Sequence, residues 1–254
     1  MTSPHVTVRH GTHTIEPGGP TLSYSLHQPN SARTDDARAA IIAHPYGRLG
    51  GCKEDHVVVA IVDALAGRGY TVLRYDARGS GSSTGSVSWT GAAEADDYRK
   101  MLDEVLLPAV LPNPDGSTPP QFTVVLAGYS YGSLAASACP PPEAPRDMPQ
   151  LRVETSYLLV SYPLSVLWAL CAFQAGKFSS ALRTRVGGDQ GEKVMAIFGD
   201  GDQFTGVDRY RTWVADLSNE RFHAVEVKGA DHFWRDRRVK GELLEQVLQW
   251  LHGE

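Results

Sequence analysis

The run Phe122-Thr123-Val124-Val125-Leu126-Ala127 is apolar and β-type, and it leads into Gly128-Tyr129-Ser130-Tyr131-Gly132 and then into small, helix-compatible residues up to Ala138. A serine hydroxyl is a poor nucleophile at neutral pH. It needs a base beside it and a place at the top of a tight turn from strand to helix. Ser130 has that context, which makes it the candidate nucleophile. The helix behind it would add the partial positive charge of its N-terminus, which favours an oxyanion formed when the hydroxyl attacks a carbonyl. With 25 glycines in the chain, the Gly-x-Ser-x-Gly spacing also arises by chance, and it occurs a second time as Gly81-Ser82-Ser83-Thr84-Gly85. No apolar strand abuts that copy and polar residues follow it, so it reads as a loop.

The base expected beside such a serine is a histidine held in one tautomer by a carboxylate. Of the nine histidines, only His232, in Gly229-Ala230-Asp231-His232-Phe233-Trp234, follows an apolar strand late in the chain and precedes the last helical pattern. The competing reading of His232 is a loop histidine with its hydrogen bonds satisfied. His44 also ends an apolar run, but early in the chain. For the carboxylate, Asp200 and Asp202 compete at the end of the run 193–198, in Gly199-Asp200-Gly201-Asp202. Asp202 is favoured because it lies further beyond the glycine and can fold back toward His232, leaving Asp200 to shape the turn through backbone groups.

These residues need a frame. Residues 6–9 and 21–27 read as opening antiparallel strands around the Gly18-Gly19-Pro20 turn, and 39–43, 70–75, 122–127, 156–161, 193–198 and 222–227 as further strands. Helical periods run over 55–68, 92–107, 206–217 and 239–251, with Gly69 ending the first and Pro108 following the second. Strands alternating with helices of this length predict an α/β fold. Its sheet is mostly parallel and of about eight strands, with helices on both faces and right-handed crossovers. Reactive groups in such sheets collect at the carboxyl ends of the strands, where every candidate above sits.

Composition excludes several classes. A hydrophobic content of 42%, a charged content of 21% and a net charge of -5 describe an ordinary globular protein. The basic residues are scattered, so there is no nucleic-acid footprint. Cys52, Cys139 and Cys171 match neither a disulfide framework nor a metal-ligand spacing and read as reduced thiols. No metal and no organic cofactor is expected. Residues 1–10 lack the apolar core of a secretory signal, which predicts a cytoplasmic protein. The uncharged stretch 157–176 is interrupted by Pro163 and several serines, so no integral membrane segment is expected. The 254 residues read as one domain.

The order Ser130, Asp202, His232 brings a resemblance into view. The chain resembles the α/β-hydrolase superfamily, and is most similar to its small, lid-poor serine hydrolases. His44-Pro45-Tyr46-Gly47, Asp76-Ala77-Arg78-Gly79-Ser80-Gly81-Ser82-Ser83, Gly128-Tyr129-Ser130-Tyr131-Gly132, Gly199-Asp200-Gly201-Asp202 and Gly229-Ala230-Asp231-His232 each fall where that superfamily places a motif. The resemblance runs from about residue 39 to 251. It implies Ser130, Asp202 and His232 as a catalytic triad and an oxyanion hole built from the backbone N–H groups of Tyr46 and Tyr131. Pro45 stands where many relatives carry glycine and offers no N–H, so the first donor falls to Tyr46 or Gly47. Asp76 and Arg78 would hold their own loop.

The implied activity is hydrolysis of a carboxylic ester, thioester or related acyl bond through an acyl-serine intermediate, with a small acyl substrate as partner. Acyl transfer, cyclisation or carbon-carbon bond cleavage in a biosynthetic pathway would use the same three residues, and a binding or scaffold protein could keep the fold alone. Residues 163–192 are expected to form a small lid, too short for a cap domain. Leu164, Leu167, Trp168, Leu170 and Phe173 recur there at helical spacing and are candidates either for an acyl pocket or for plain core. Trp168 and Phe173, with Trp234, are the expected substrate contacts. Trp89 is a further candidate for the cleft, and Lys177, Arg183 and Arg185 would give the rim positive charge.

Overall fold

The computed structural model describes residues 6–30, 36–111, 121–187 and 192–253. Part of the N-terminal expectation (1–5) and part of the expected lid (188–191) lie outside them. Eight strands, β1 (Val6–Thr14), β2 (Thr21–Pro29), β3 (Asp36–Ala43), β4 (Thr71–Tyr75), β5 (Gln121–Tyr129), β6 (Arg152–Val160), β7 (Lys193–Gly201) and β8 (Phe222–Asp231), form one sheet in the order β1-β2-β4-β3-β5-β6-β7-β8. β2 pairs antiparallel with β1 and β4, and all other pairs are parallel.

The helices are α1 (His56–Gly67), α2 (Ala92–Met101), α3 (Leu107–Val110), α4 (Gly132–Ala138), α5 (Leu167–Leu170), α6 (Ala175–Gly187), α7 (Val207–Leu217) and α8 (Arg237–His252). Side-chain caps fix two starts: the Asp55 carboxylate accepts from the N–H groups of Val57 and Val58, and that of Asp236 from Arg238 and Val239. Period-2 alternation on the central strands divides the core. Ile41, Val124 and Leu126 pack with Tyr98, Leu134 and Phe178 on one side, whereas Ile42, Val125 and Ala127 pack with Val58, Ile61, Leu243 and Val247 of α1 and α8 on the other. Each such fully buried branched side chain is worth about 1.5–3 kcal/mol of transfer free energy, so both faces of the sheet are firmly covered.

One expectation changes. The helix over 92–107 does not stop before Pro108. It passes through a π-turn at Leu102–Leu106 and ends at Val110, with Pro108 in the first turn of α3. The π-turn resets the hydrogen-bond register there, so proline's missing N–H and its ring meet no regular i−4 carbonyl. Residues 139–149 are irregular chain between α4 and β6, and the stretch between β6 and β7 carries α5, a 3₁₀ turn at Ala172–Gln174 and α6.

Candidate active site

Ser130 stands between β5 and α4 with φ +53°, in the left-handed region. A non-glycine residue there costs about 1–3 kcal/mol unless its surroundings hold it. The hold is specific: the Ser130 N–H donates to Val160 O (2.8 Å), and the Ser133 N–H donates to Ser130 O (2.9 Å). Glycine is required on either side by close approach. A Cβ at Gly128 would lie 2.2 Å from Gly132 O, and one at Gly132 would lie 2.3 Å from Ala43 O.

The His232 loop follows β8. Its main chain is tied on two sides: the Tyr129 hydroxyl donates to His232 O (2.7 Å), and the His232 N–H donates to the Gln203 side-chain oxygen (3.1 Å). The imidazole lies with Nδ1 2.7 Å from Asp202 Oδ2 and Nε2 2.9 Å from Ser130 Oγ. With Nδ1–H donating to the carboxylate, Nε2 is left as the acceptor for the serine proton. Asp202 itself is fixed by the N–H groups of Phe204 (2.8 Å) and Thr205 (2.9 Å), both donating to Oδ1. All three side chains belong to buried residues, Ser130 at 8%, Asp202 at 7% and His232 at 4% exposure, so the relay is shielded from bulk water. Asp200 faces elsewhere and accepts from the Gly229 N–H (2.6 Å), joining the β7 and β8 loops.

Tyr46 and Tyr131 flank the same place from the β3 and β5 loops, their rings 4.9 Å apart. Among the described residues, neither backbone N–H donates to a protein acceptor. The turn at Tyr46 is closed by the N–H groups of Leu49 (3.0 Å) and Gly51 (3.1 Å), both donating to Tyr46 O. His44 positions that turn. Its Nδ1–H donates to Pro45 O (2.6 Å) and its Nε2 accepts from the Ala77 N–H (2.9 Å). Burial lowers its pKa below the ordinary histidine value, which keeps the ring in this neutral form. The Asp76 loop it contacts is held by Lys53, whose ammonium lies 2.7 Å from Asp76, and by Arg78, which forks onto Asp97 at 2.6 and 2.7 Å.

A cleft of ≈ 410 Å³ opens over Ser130 and His232. Phe204 stands edge-on to the imidazole at 4.5 Å, and Phe233, Tyr46, Leu49 and Leu170 supply much of the remaining wall. Among the described residues, Asp55 is the one carboxylate on that wall and no lysine or arginine lines it, so the expected basic rim does not reach the cleft. A second hollow of ≈ 370 Å³, beside Arg152, Glu154 and Lys193, lies at the opposite ends of the strands and is lined by neither Ser130 nor His232.

Three expected substrate contacts are not brought to the cleft. Trp234 is fully buried beneath the His232 loop, with φ +54° and its indole N–H donating to Ser161 Oγ (3.0 Å). A large apolar ring with one donor is best satisfied inside the core, where it anchors the loop. Trp168 and Phe173 project outward, at 73% and 105% exposure, because Val166, Ala169 and Leu170 form the inward face of that segment. Leu167 is buried in the core, Leu164 packs against it, and exposed Trp89 lies under the Arg48 guanidinium at 4.3 Å. Sequence reasoning missed Phe204 and Phe233 as pocket wall. Their places, two residues after Asp202 and next to His232, are the signal that could have found them.

Residues 41–241 match the Alpha/beta hydrolase family, and the chain belongs to that family. The fold is similar to that of an alpha-beta serine hydrolase homologue from Coxiella burnetii (TM-score 0.68, 20% identity, 99% of this chain and 98% of the other). It is also similar to a Xanthomonas campestris protein described as an a/b serine hydrolase without lid (TM-score 0.65, 21% identity, 98% and 97% covered). A third likeness is to an esterase of Pyrococcus furiosus (TM-score 0.63, 16% identity, 96% and 90% covered). Among the described residues, no cluster of His, Cys, Asp or Glu is arranged to hold a metal ion, and no helix is long and apolar enough to cross a membrane.

Proposed function

We propose that this α/β hydrolase cleaves a carboxylic ester, thioester or related acyl bond through an acyl-serine intermediate. The observation that carries the reading is the continuous relay from Ser130 Oγ to His232 Nε2 (2.9 Å) and from His232 Nδ1 to Asp202 Oδ2 (2.7 Å). Ser130 Oγ attacks the acyl carbon while its proton passes to His232 Nε2. The N–H groups of Tyr131 and Tyr46 receive the oxyanion, and Asp202 stabilises the imidazolium. The proton then goes to the leaving oxygen or sulfur as that bond breaks. Water, deprotonated by the same imidazole, releases the acid and restores the serine.

The apolar and aromatic wall around the reacting hydroxyl supports an uncharged acyl group, and the Asp55 carboxylate on that wall disfavours acyl groups ending in a second carboxylate. The segment 163–192 acts as a short lid, contributing Pro163, Val166, Ala169 and Leu170 to the cleft. The test is labelling by a fluorophosphonate probe with mapping of the modified peptide, followed by p-nitrophenyl esters of increasing chain length. The reading expects a single adduct on Ser130, lost in Ser130→Ala; an unlabelled native protein overturns it.

A further inference from the structure

Asp202 has a fourth partner that the relay does not require. The Tyr210 hydroxyl, on α7, lies 3.2 Å from Asp202 Oδ2, the same oxygen that accepts from His232, and 2.9 Å from Tyr162 O. One phenolic proton is therefore shared between the carboxylate and a backbone carbonyl. Tyr162 O belongs to the residue immediately before Pro163, which lines the cleft at the start of the segment between β6 and β7. A second strap runs in parallel: the Ser165 N–H donates to Thr205 Oγ1 (3.4 Å), and the Thr205 N–H donates to Asp202 Oδ1 (2.9 Å). Tyr210 is completely buried, its ring stacked on Phe198 at 4.1 Å, and burial raises its pKa well above the ordinary tyrosine value, so the hydroxyl stays a donor.

The geometry points to Tyr210 as a positioning residue that tunes the acid of the relay and ties it to the first residues of the cleft's lid segment. This deepens, and rests on, the proposed serine-hydrolase function. A donor on Oδ2 draws charge away from the side of the carboxylate that faces the imidazole, so it weakens the hold on the imidazolium and keeps His232 available as a base. The other groups around His232 are unchanged by altering Tyr210: the Ser130 and Tyr129 hydroxyls, Asp231 next to it in the chain, Asp55 on the cleft wall, and Arg235, whose guanidinium lies 4.4 Å over the Phe233 ring.

The experiment compares pH profiles of kcat/KM on one neutral p-nitrophenyl ester for the native chain, Tyr210→Phe and Phe198→Leu. Tyr210→Phe removes the tie that orients the carboxylate, which should lower kcat/KM at the optimum about tenfold, the scale of one hydrogen bond to a charged acceptor, and, by returning charge to Oδ2, should move the acid limb to higher pH. Phe198→Leu, which loosens the ring stack but keeps the hydroxyl, should lower thermal stability and leave the limb in place. Site-specific 3-fluorotyrosine at 210, a stronger donor of nearly native size, should move the limb to lower pH and serves if the phenylalanine variant does not fold. A Tyr210→Phe enzyme with the native limb and rate, or a Phe198→Leu limb displaced as far as that of Tyr210→Phe, overturns the inference. Failure of the native chain to label or turn over would instead overturn the function on which it rests.

Discussion

The chain carries the Gly-x-Ser-x-Gly spacing twice, and the two copies share almost nothing in three dimensions. In residues 128–132 the central serine has φ +53° and its hydroxyl meets an imidazole, while the glycines are demanded by backbone atoms 2.2–2.3 Å from where a Cβ would lie. In residues 81–85 the positions are reversed: the glycines take the positive φ, +52° and +87°. Ser83 there is an ordinary turn residue, its hydroxyl accepting from the Ser23 N–H (2.8 Å) and donating to Asp76 O (2.7 Å). One copy concentrates strain on a serine paired with an imidazole, and the other relieves strain with glycine. A spacing becomes a site only when the strand before it and the helix after it force the serine outward.

The largest separation between the copies should appear in turnover. Ser130→Ala is expected to reduce kcat by roughly 10⁴ to 10⁶ with an unchanged circular dichroism spectrum, whereas Ser83→Ala should stay within about twofold of native activity, since alanine there removes hydrogen bonds and no reacting group. Equal losses in the two variants would erase the distinction. The paired aspartates sharpen it. Asp202→Asn should lower kcat by about 10⁴, because the amide no longer fixes the imidazole tautomer. Asp200→Asn, on the hydrogen bond to Gly229, should cost about 1 kcal/mol of stability and little activity.

Stability is the next contrast, read from urea unfolding. Gly132→Ala drives a methyl into Ala43 O and should cost about 2–4 kcal/mol. Gly85→Ala, strained by its φ of +87° and by a Pro20 side-chain carbon 3.0 Å from the new methyl, should cost about 1–2 kcal/mol. The smallest effect is the response to acid. Activity should fall as the medium is acidified, because a protonated His232 cannot accept the serine proton.

Folding stability should decline over a longer span. His27 is depressed to about 4, first by burial and then by the Arg74 charge, and burial depresses His44 as well. Both are neutral in the fold, so the unfolded chain binds more protons below about 6.5, and stability is lost as pH falls from there toward the folded value near 4. Asp76 adds to the loss at lower pH, below the ordinary carboxylate range. Burial alone would raise its pKa, but the hydrogen bonds from Lys53 and Ser82 outweigh that and hold it below the usual carboxylate range. A His27→Asn variant should flatten the decline in unfolding midpoint between pH 6.5 and 4 without moving the activity profile.

Much of the frame was legible in the amino-acid order. Short apolar runs marked the central strands, since a strand with two covered faces must be apolar on both, and Gly69 marked the end of α1. Ser130 and His232 stood out because each follows an apolar run at a turn. Less legible was the cleft wall. Helical spacing over 164–173 marks an apolar stripe, but a stripe has two sides, and only the folded chain turned Leu170 toward the cleft and left Trp168 and Phe173 in solvent. Trp234 was equally opaque, because an aromatic residue beside a functional histidine fits a cleft or a core.

Local chemistry along the chain, then, determined which segments are strands and helices, where turns must break them, and which hydroxyl and imidazole end up at the carboxyl edge of the sheet. Those features depend on neighbours within a few residues. The choice of Asp202 over Asp200, the inward turn of Phe204 and Phe233, and the grip of Tyr210 on the acid were decided only by tertiary structure. Each depends on contacts between segments tens of residues apart, set by the parallel register of β7 on β8 and the packing of α7 over them, which no local pattern encodes.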